Sequence, residues 1–114
     1  MLIRSGLLLV LAAAWPGGLA GETRVVRLVA ERFAFVPSQV KVPAGTVVEF
    51  RITSEDTNHG FRLPQAGINA VVPKRGKGEL KVTYRAERPG RYVFECSKPC
   101  GAGHNVMRGV LIVE

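Results

Sequence analysis

The chain has 114 residues, of which 46% are hydrophobic and 22% charged, with 16 Lys+Arg against 9 Asp+Glu and a net charge of +7. This balance fits one globular domain and excludes a disordered chain, a multidomain enzyme and a polytopic membrane protein. Two cysteines, Cys96 and Cys100, are too few for a disulfide-stapled mini-protein.

Residues 1–20 read as an export leader. Arg4 supplies the cationic start, residues 7–14 form an apolar run, and Pro16-Gly17-Gly18 breaks it. Gly18-Leu19-Ala20 then offers small residues for cleavage before Gly21. A retained anchor is the competing reading. The apolar stretch is shorter than the ~20 residues a spanning helix needs, and Pro16 interrupts it. The domain is therefore expected over residues 21–114, outside the cytoplasm.

The rest of the chain alternates in the manner of a β-sandwich. Val26, Leu28 and Ala30 share one strand face, and Val40 and Val42 another, ended by Pro43-Ala44-Gly45. Val48, Phe50 and Ile52 alternate with Glu49, Arg51 and Thr53. Leu80, Val82 and Tyr84 repeat the pattern, and the loop Lys74-Arg75-Gly76-Lys77-Gly78 before them reads as a basic hairpin. After Arg88-Pro89-Gly90, the residues Tyr92, Phe94 and Cys96 point to one side. Residues 110–113 form a last apolar strand. No window has the period of an amphipathic helix.

The chemistry is concentrated in one run, Cys96-Ser97-Lys98-Pro99-Cys100-Gly101-Ala102-Gly103-His104-Asn105-Val106-Met107. Its spacing is Cys-x3-Cys-x3-His-x2-Met. One further imidazole, His59, lies in Asp56-Thr57-Asn58-His59-Gly60-Phe61, just after a predicted strand. Soft sulfur donors with imidazole select copper or zinc, and the thioether favours copper. On the residues alone, three alternatives stay open: a Cys96–Cys100 disulfide, a zinc site, and a mononuclear blue-copper site built on His59, Cys100, His104 and Met107.

This run and its upstream Asn-His resemble the CuA domain of cytochrome c oxidase subunit II and nitrous oxide reductase, a branch of the cupredoxins. The likeness extends to Phe33-Ala34-Phe35-Val36-Pro37, Val42-Pro43-Ala44-Gly45 and Arg88-Pro89-Gly90-Arg91-Tyr92. It implies an all-β, cupredoxin-like Greek-key sandwich. It also implies two copper ions bridged by Cys96 and Cys100. His59 and Met107 would complete one ion, and His104 and the backbone carbonyl of Lys98 the other. Asp56 and Asn58 are candidates to orient the imidazoles. The chain departs from the family at Lys98, where an acidic residue is usual, and in lacking a tryptophan beyond the leader. The implied role is an exported electron carrier resembling a stand-alone periplasmic domain of subunit II. A periplasmic copper chaperone or reservoir is the alternative. The ligand positions are all filled by protein, so catalysis by the chain alone is not expected. The excess of cations suggests a redox partner, a cytochrome c or an oxidase subunit, with an acidic docking surface. Nucleic acid is not an expected partner, and membrane contact is expected only peripherally or through an uncleaved leader.

Overall fold

The computed structural model describes residues 21–114; the leader expected over residues 1–20 lies outside the described residues. Nine strands follow in order: β1 Thr23–Glu31, β2 Ala34–Val36, β3 Gln39–Val42, β4 Thr46–Ser54, β5 His59–Leu63, β6 Ile68–Val72, β7 Leu80–Ala86, β8 Gly90–Glu95 and β9 Arg108–Val113. They form a four-stranded sheet, β2-β1-β4-β7, packed on a five-stranded sheet, β3-β9-β8-β5-β6. Two pairings, β1 with β4 and β3 with β9, are parallel, and the others are antiparallel. This is the sandwich expected from the alternation. Among the described residues the only helical segments are two short 3-10 turns, Pro64–Ala66 and His104–Val106. No described helix is long and apolar enough to cross a membrane.

The period-2 pattern explains the layers. In β4 the even-numbered residues Val48, Phe50 and Ile52 are fully buried, while Val47, Glu49 and Arg51 are half-buried on the other face. Four phenylalanines, Phe35, Phe50, Phe61 and Phe94, meet from both sheets. Their rings stand 5.1 Å apart for Phe50 and Phe61 and 5.3 Å apart, edge to face, for Phe35 and Phe94. Such contacts add about 0.5–1.5 kcal/mol each beyond area burial. The aromatic centre makes the scaffold stiff immediately below one pole, where Cys96, Cys100 and Met107 continue the same buried cluster.

One loop differs from its sequence reading. Residues 73–79 do not close a hairpin, because β6 and β7 belong to different sheets. The segment crosses the sandwich at the cysteine pole. The Lys74 N–H donates to Asn58 Oδ1 at 2.7 Å, and the Arg75 N–H to the Asp56 carbonyl at 3.0 Å.

Candidate metal centre

Two loops build the site. The first joins β4 to β5. Ser54 shapes it, since its hydroxyl donates to the Thr57 carbonyl at 2.6 Å and accepts the Asp56 N–H at 3.0 Å. This turn delivers His59 as the first residue of β5, with no solvent exposure. The second joins β8 to β9 and carries the cysteine run. Cys96 follows directly on β8, on the buried side with Tyr92 and Phe94. The Cys96 N–H donates to the Met107 carbonyl at 3.1 Å, so the loop closes on itself between Cys96 and Met107.

Every side chain singled out as a ligand arrives at one place. The sulfurs of Cys96 and Cys100 lie 3.5 Å apart, and both cysteines are free. A disulfide would bring them to about 2.05 Å. His59 Nδ1 lies 3.9 Å from Cys96 Sγ, and His104 Nδ1 lies 3.6 Å from Cys100 Sγ. Met107 Sδ is 3.8 Å from Cys100 Sγ. The Cys96 thiol donates to the Lys98 carbonyl at 3.1 Å. Donor atoms of His59, Cys96 and Cys100 all fall within 4.8 Å of one another. Two thiols, two imidazole nitrogens, a thioether and a carbonyl converge, and this donor set fits copper.

The environment fixes these donors. His59 Nε2 sits 2.7 Å from Asp56 Oδ1, which leaves Nδ1 to face the sulfurs. Partial burial would raise the Asp56 carboxyl. Hydrogen bonds from the Arg32 N–H, the His59 ring and the Thr57 N–H outweigh it and hold the group below its usual range. Asn58, the other candidate, holds the 73–79 loop, its Oδ1 accepting the Lys74 N–H. Burial pushes the Cys100 thiol up to about 11, reinforced by the hydrogen bond and charge of Cys96, while Arg32 pulls it partly back. The Cys100 thiol therefore stays protonated at neutral pH until a cation displaces the proton.

Three supporting contacts join segments far apart in the sequence. The Arg32 side chain, at the β1–β2 turn, donates from Nε to the Cys100 carbonyl at 2.9 Å, while its main-chain N–H donates to Asp56 Oδ2 at 3.0 Å. One residue thus touches both loops. The Phe33 ring fills the space over Gly101 and Gly103, where an added Cβ would stand 2.9 and 2.5 Å from ring atoms. Gly60 lies against the cysteine loop, where an added Cβ would stand 2.7 Å from the main-chain nitrogens of Ser97 and Lys98. The Gly60 N–H also points at Cys96 Sγ at 3.4 Å. Beside the site is a polar cleft of about 270 Å³ lined by Arg62, Glu95, Cys96, His104, Asn105 and Arg108, with Met107 at its wall.

A family profile described as a cupredoxin-like domain matches residues 4–113. The chain belongs to the cupredoxin-like family. Its sequence is 38% identical over 91 residues to cytochrome c oxidase subunit 2 of Thermus thermophilus, covering 78% of this chain and 64% of that protein. It is 36% identical over 77 residues to cytochrome c oxidase subunit 2 of Myxine glutinosa, covering 67% of this chain and 32% of that one. The cupredoxin-like chain thus spans less than two thirds of the length of these relatives. A heme-copper terminal oxidase dimer contains a chain with a TM-score of 0.71 at 29% identity, covering 80% of this chain and 65% of that chain. The periplasmic domain of cytochrome oxidase subunit II from Bradyrhizobium japonicum has the same fold, with a TM-score of 0.71 at 16% identity over 79% of this chain and 83% of that one. The resemblance to oxidase subunit II read from the cysteine run agrees with these likenesses, and so does the cupredoxin-like fold.

Proposed function

We propose that this cupredoxin-like protein is an exported electron-transfer module with a binuclear CuA-type copper centre, resembling a stand-alone periplasmic domain of oxidase subunit II. The observation that carries the reading is the sulfur pair, 3.5 Å apart and unbonded, with His59, His104, Met107 and the Lys98 carbonyl around it. In this reading Cys96 and Cys100 would hold both ions, His59 and Met107 would complete one, and His104 and the Lys98 carbonyl the other. Bound copper would supply one-electron redox chemistry at these donors. The chain's own residues do the rest. Asp56 orients His59, burial excludes water from the sulfurs, and the phenylalanine core keeps the two loops from drifting as charge changes. The partner is a redox protein, a cytochrome c or an oxidase subunit, met outside the cytoplasm.

A second reading, a copper chaperone or reservoir, draws support from the cleft that opens onto Cys96 and His104. The discriminating experiment is to load the domain with copper, count metal per chain and record its electron paramagnetic resonance. Two ions per chain, with hyperfine coupling shared over two nuclei, support the first reading. One ion with coupling to a single nucleus overturns it. Transfer of the loaded copper to a metal-free acceptor protein, with slow electron exchange with a cytochrome, would favour the chaperone.

A further inference from the structure

An edge strand of a sheet offers unpaired N–H and C=O groups to any other strand, and natural sandwiches blunt their edges with short strands, prolines and charged side chains. Three of the four edges here are blunted in that way. β2 has three residues and runs into Pro37. β3 has four, carries Lys41 and lies between Pro37 and Pro43. β7 presents Lys81 and Arg85, both exposed. The fourth edge, β6, is different. Its five residues, Ile68-Asn69-Ala70-Val71-Val72, include no charge and no proline, and Val71 is 53% exposed. Among the described residues its backbone pairs with β5 alone, in unbroken register from His59 beside Val72 to Leu63 beside Ile68. The backbone groups that face away from β5 have no described partner.

The sequence of the strand decides what fits it. Paired antiparallel with a second β6 about Ala70, Ile68 lies beside Val72 of the second copy, Asn69 beside Val71, and Ala70 beside Ala70. This register keeps the half-buried Ile68 and Ala70 and the buried Val72 on the inner side in both copies, and the exposed Asn69 and Val71 on the outer. It also sets no cation opposite a cation. On the outer face Arg62 is followed across the sheet by Asn69, and then by Val71 and Gly60 of the second copy. Lys74, two positions beyond the strand, comes level with the uncharged turn at Ala66 of the second copy. Two chains that each carry a net charge of +7 repel at a basic surface. Pairing β7 with β7 about Thr83, for example, would set Lys81 opposite Arg85. Pairing β6 with β6 covers both unprotected edges at once, so the assembly closes as a twofold pair and does not grow.

We infer that β6 is the seam of a homodimer in which two copies of this chain join their five-stranded sheets edge to edge. His59 lies beside Val72, and antiparallel pairing points the two Val72 ends apart. The two metal poles therefore lie at opposite ends of the dimer, and the seam is independent of copper.

The test uses the purified, metal-free protein at about 0.01–1 mM, a range that covers weak specific association. Sedimentation equilibrium gives the oligomeric state, and amide exchange is read residue by residue. The inference expects a monomer–dimer equilibrium and slower exchange of the β6 amides as concentration rises. In a mixture of isotope-labelled and unlabelled chains it expects a contact between Ala70 of one copy and Ala70 of the other. Val71→Lys alters an already exposed side chain and places a cation at the seam twice, so the dimer should weaken about tenfold or more. Val93→Lys is the control. Val93 is also exposed on the outer face, on β8, two strands in from the edge, and its substitution should leave the dimer unchanged. Mixing Val71→Lys with Val71→Glu should restore pairing, because the two charges meet diagonally across the seam. A monomer throughout the range would overturn the inference. So would a dimer that Val93→Lys breaks and Val71→Lys spares, protection arising on another edge, or growth into larger assemblies. If a variant misfolds by circular dichroism, exchange and the Ala70 contact in the unsubstituted chain carry the test alone.

Discussion

Gly60→Ala tests whether the histidine strand and the cysteine loop are held apart only by the absence of a side chain. Gly60 has no positive φ, so alanine meets no backbone strain there. Removing glycine would even stabilise by about 0.4–1 kcal/mol through the unfolded chain. The obstacle is contact. The new Cβ would stand 2.2 Å from Ser97 Oγ and 2.7 Å from the main-chain nitrogens of Ser97 and Lys98. The hydroxyl can rotate away, whereas the main-chain nitrogens cannot. Overpacking of this kind costs about 1–3 kcal/mol, leaving a net loss of about 0.5–2 kcal/mol. For a domain of this size each kcal/mol lowers the melting temperature by about 4–8 °C. The expected fall, read by circular dichroism on metal-free protein, is about 2–15 °C. The loop must also move outward, carrying Cys96 and the Lys98 carbonyl, so the absorption and resonance spectra of the copper-loaded variant should change. Adding Ser97→Ala removes only the hydroxyl and should restore only part of the loss. Gly67→Ala is the control. It has a φ of 69° and nothing within 4 Å, so it should lower the melting temperature by strain while leaving the copper spectra alone. Full rescue by Ser97→Ala, or native spectra in Gly60→Ala, would refute the steric argument.

The remaining predictions follow from the groups around the donors. Asp56→Asn removes the carboxylate that orients His59, and copper affinity should fall about 10–100-fold in a chelator competition. Since Asp56 is held below its ordinary value when folded, its contribution to stability is present above about pH 4 and is lost as pH falls through the folded value. Acid unfolding of the wild type, but less so of Asp56→Asn, should show that slope. Cys100 titrates in the opposite sense. Its thiol is raised from 9.0 to about 11, so metal-free stability is full below about pH 9 and declines as pH climbs towards 11, a slope that Cys100→Ser should lack. Copper binding must displace the thiol protons, so affinity should weaken as the solution is made more acidic. Arg32→Gln keeps the N–H bond to Asp56 but loses the bond to the Cys100 carbonyl. It should destabilise the domain by about 0.5–1.5 kcal/mol and speed amide exchange at the cysteine loop. Unchanged exchange there would show that the guanidinium does not hold the loop.

The cysteine run was legible because its candidate donors are local in sequence and their chemistry narrows the choice of metal. The layers were legible because alternation within one strand, such as Val48, Phe50 and Ile52, reports which face is buried. Alternation says nothing about which strand lies alongside. The parallel pairing of β1 with β4 joins segments separated by β2 and β3, which lie in different sheets, and no local pattern encodes it. The 73–79 segment shows the consequence. Glycines between two alternating runs suggest a hairpin, yet β7 pairs with β4 and β6 with β5, so the connection has to cross between sheets. Arg32 was silent for the same reason. Its partner carbonyl at Cys100 lies 68 positions away.

These long-range bonds bear on the choice between carrying electrons and delivering metal. A protein that hands copper on benefits from a donor loop able to open. Here the loop is fixed from three directions: by the Arg32 guanidinium at Cys100, by the Phe33 ring over Gly101 and Gly103, and by Gly60 against Ser97 and Lys98. The histidine loop is tied to the same turn through Asp56 and the Arg32 N–H. Opening one loop therefore disturbs the other, and the donors move together or not at all. Such coupling slows release of a bound ion and limits displacement of the donors when charge changes. The geometry of the supporting residues, beyond the identity of the ligands, thus favours retention of metal and exchange of electrons.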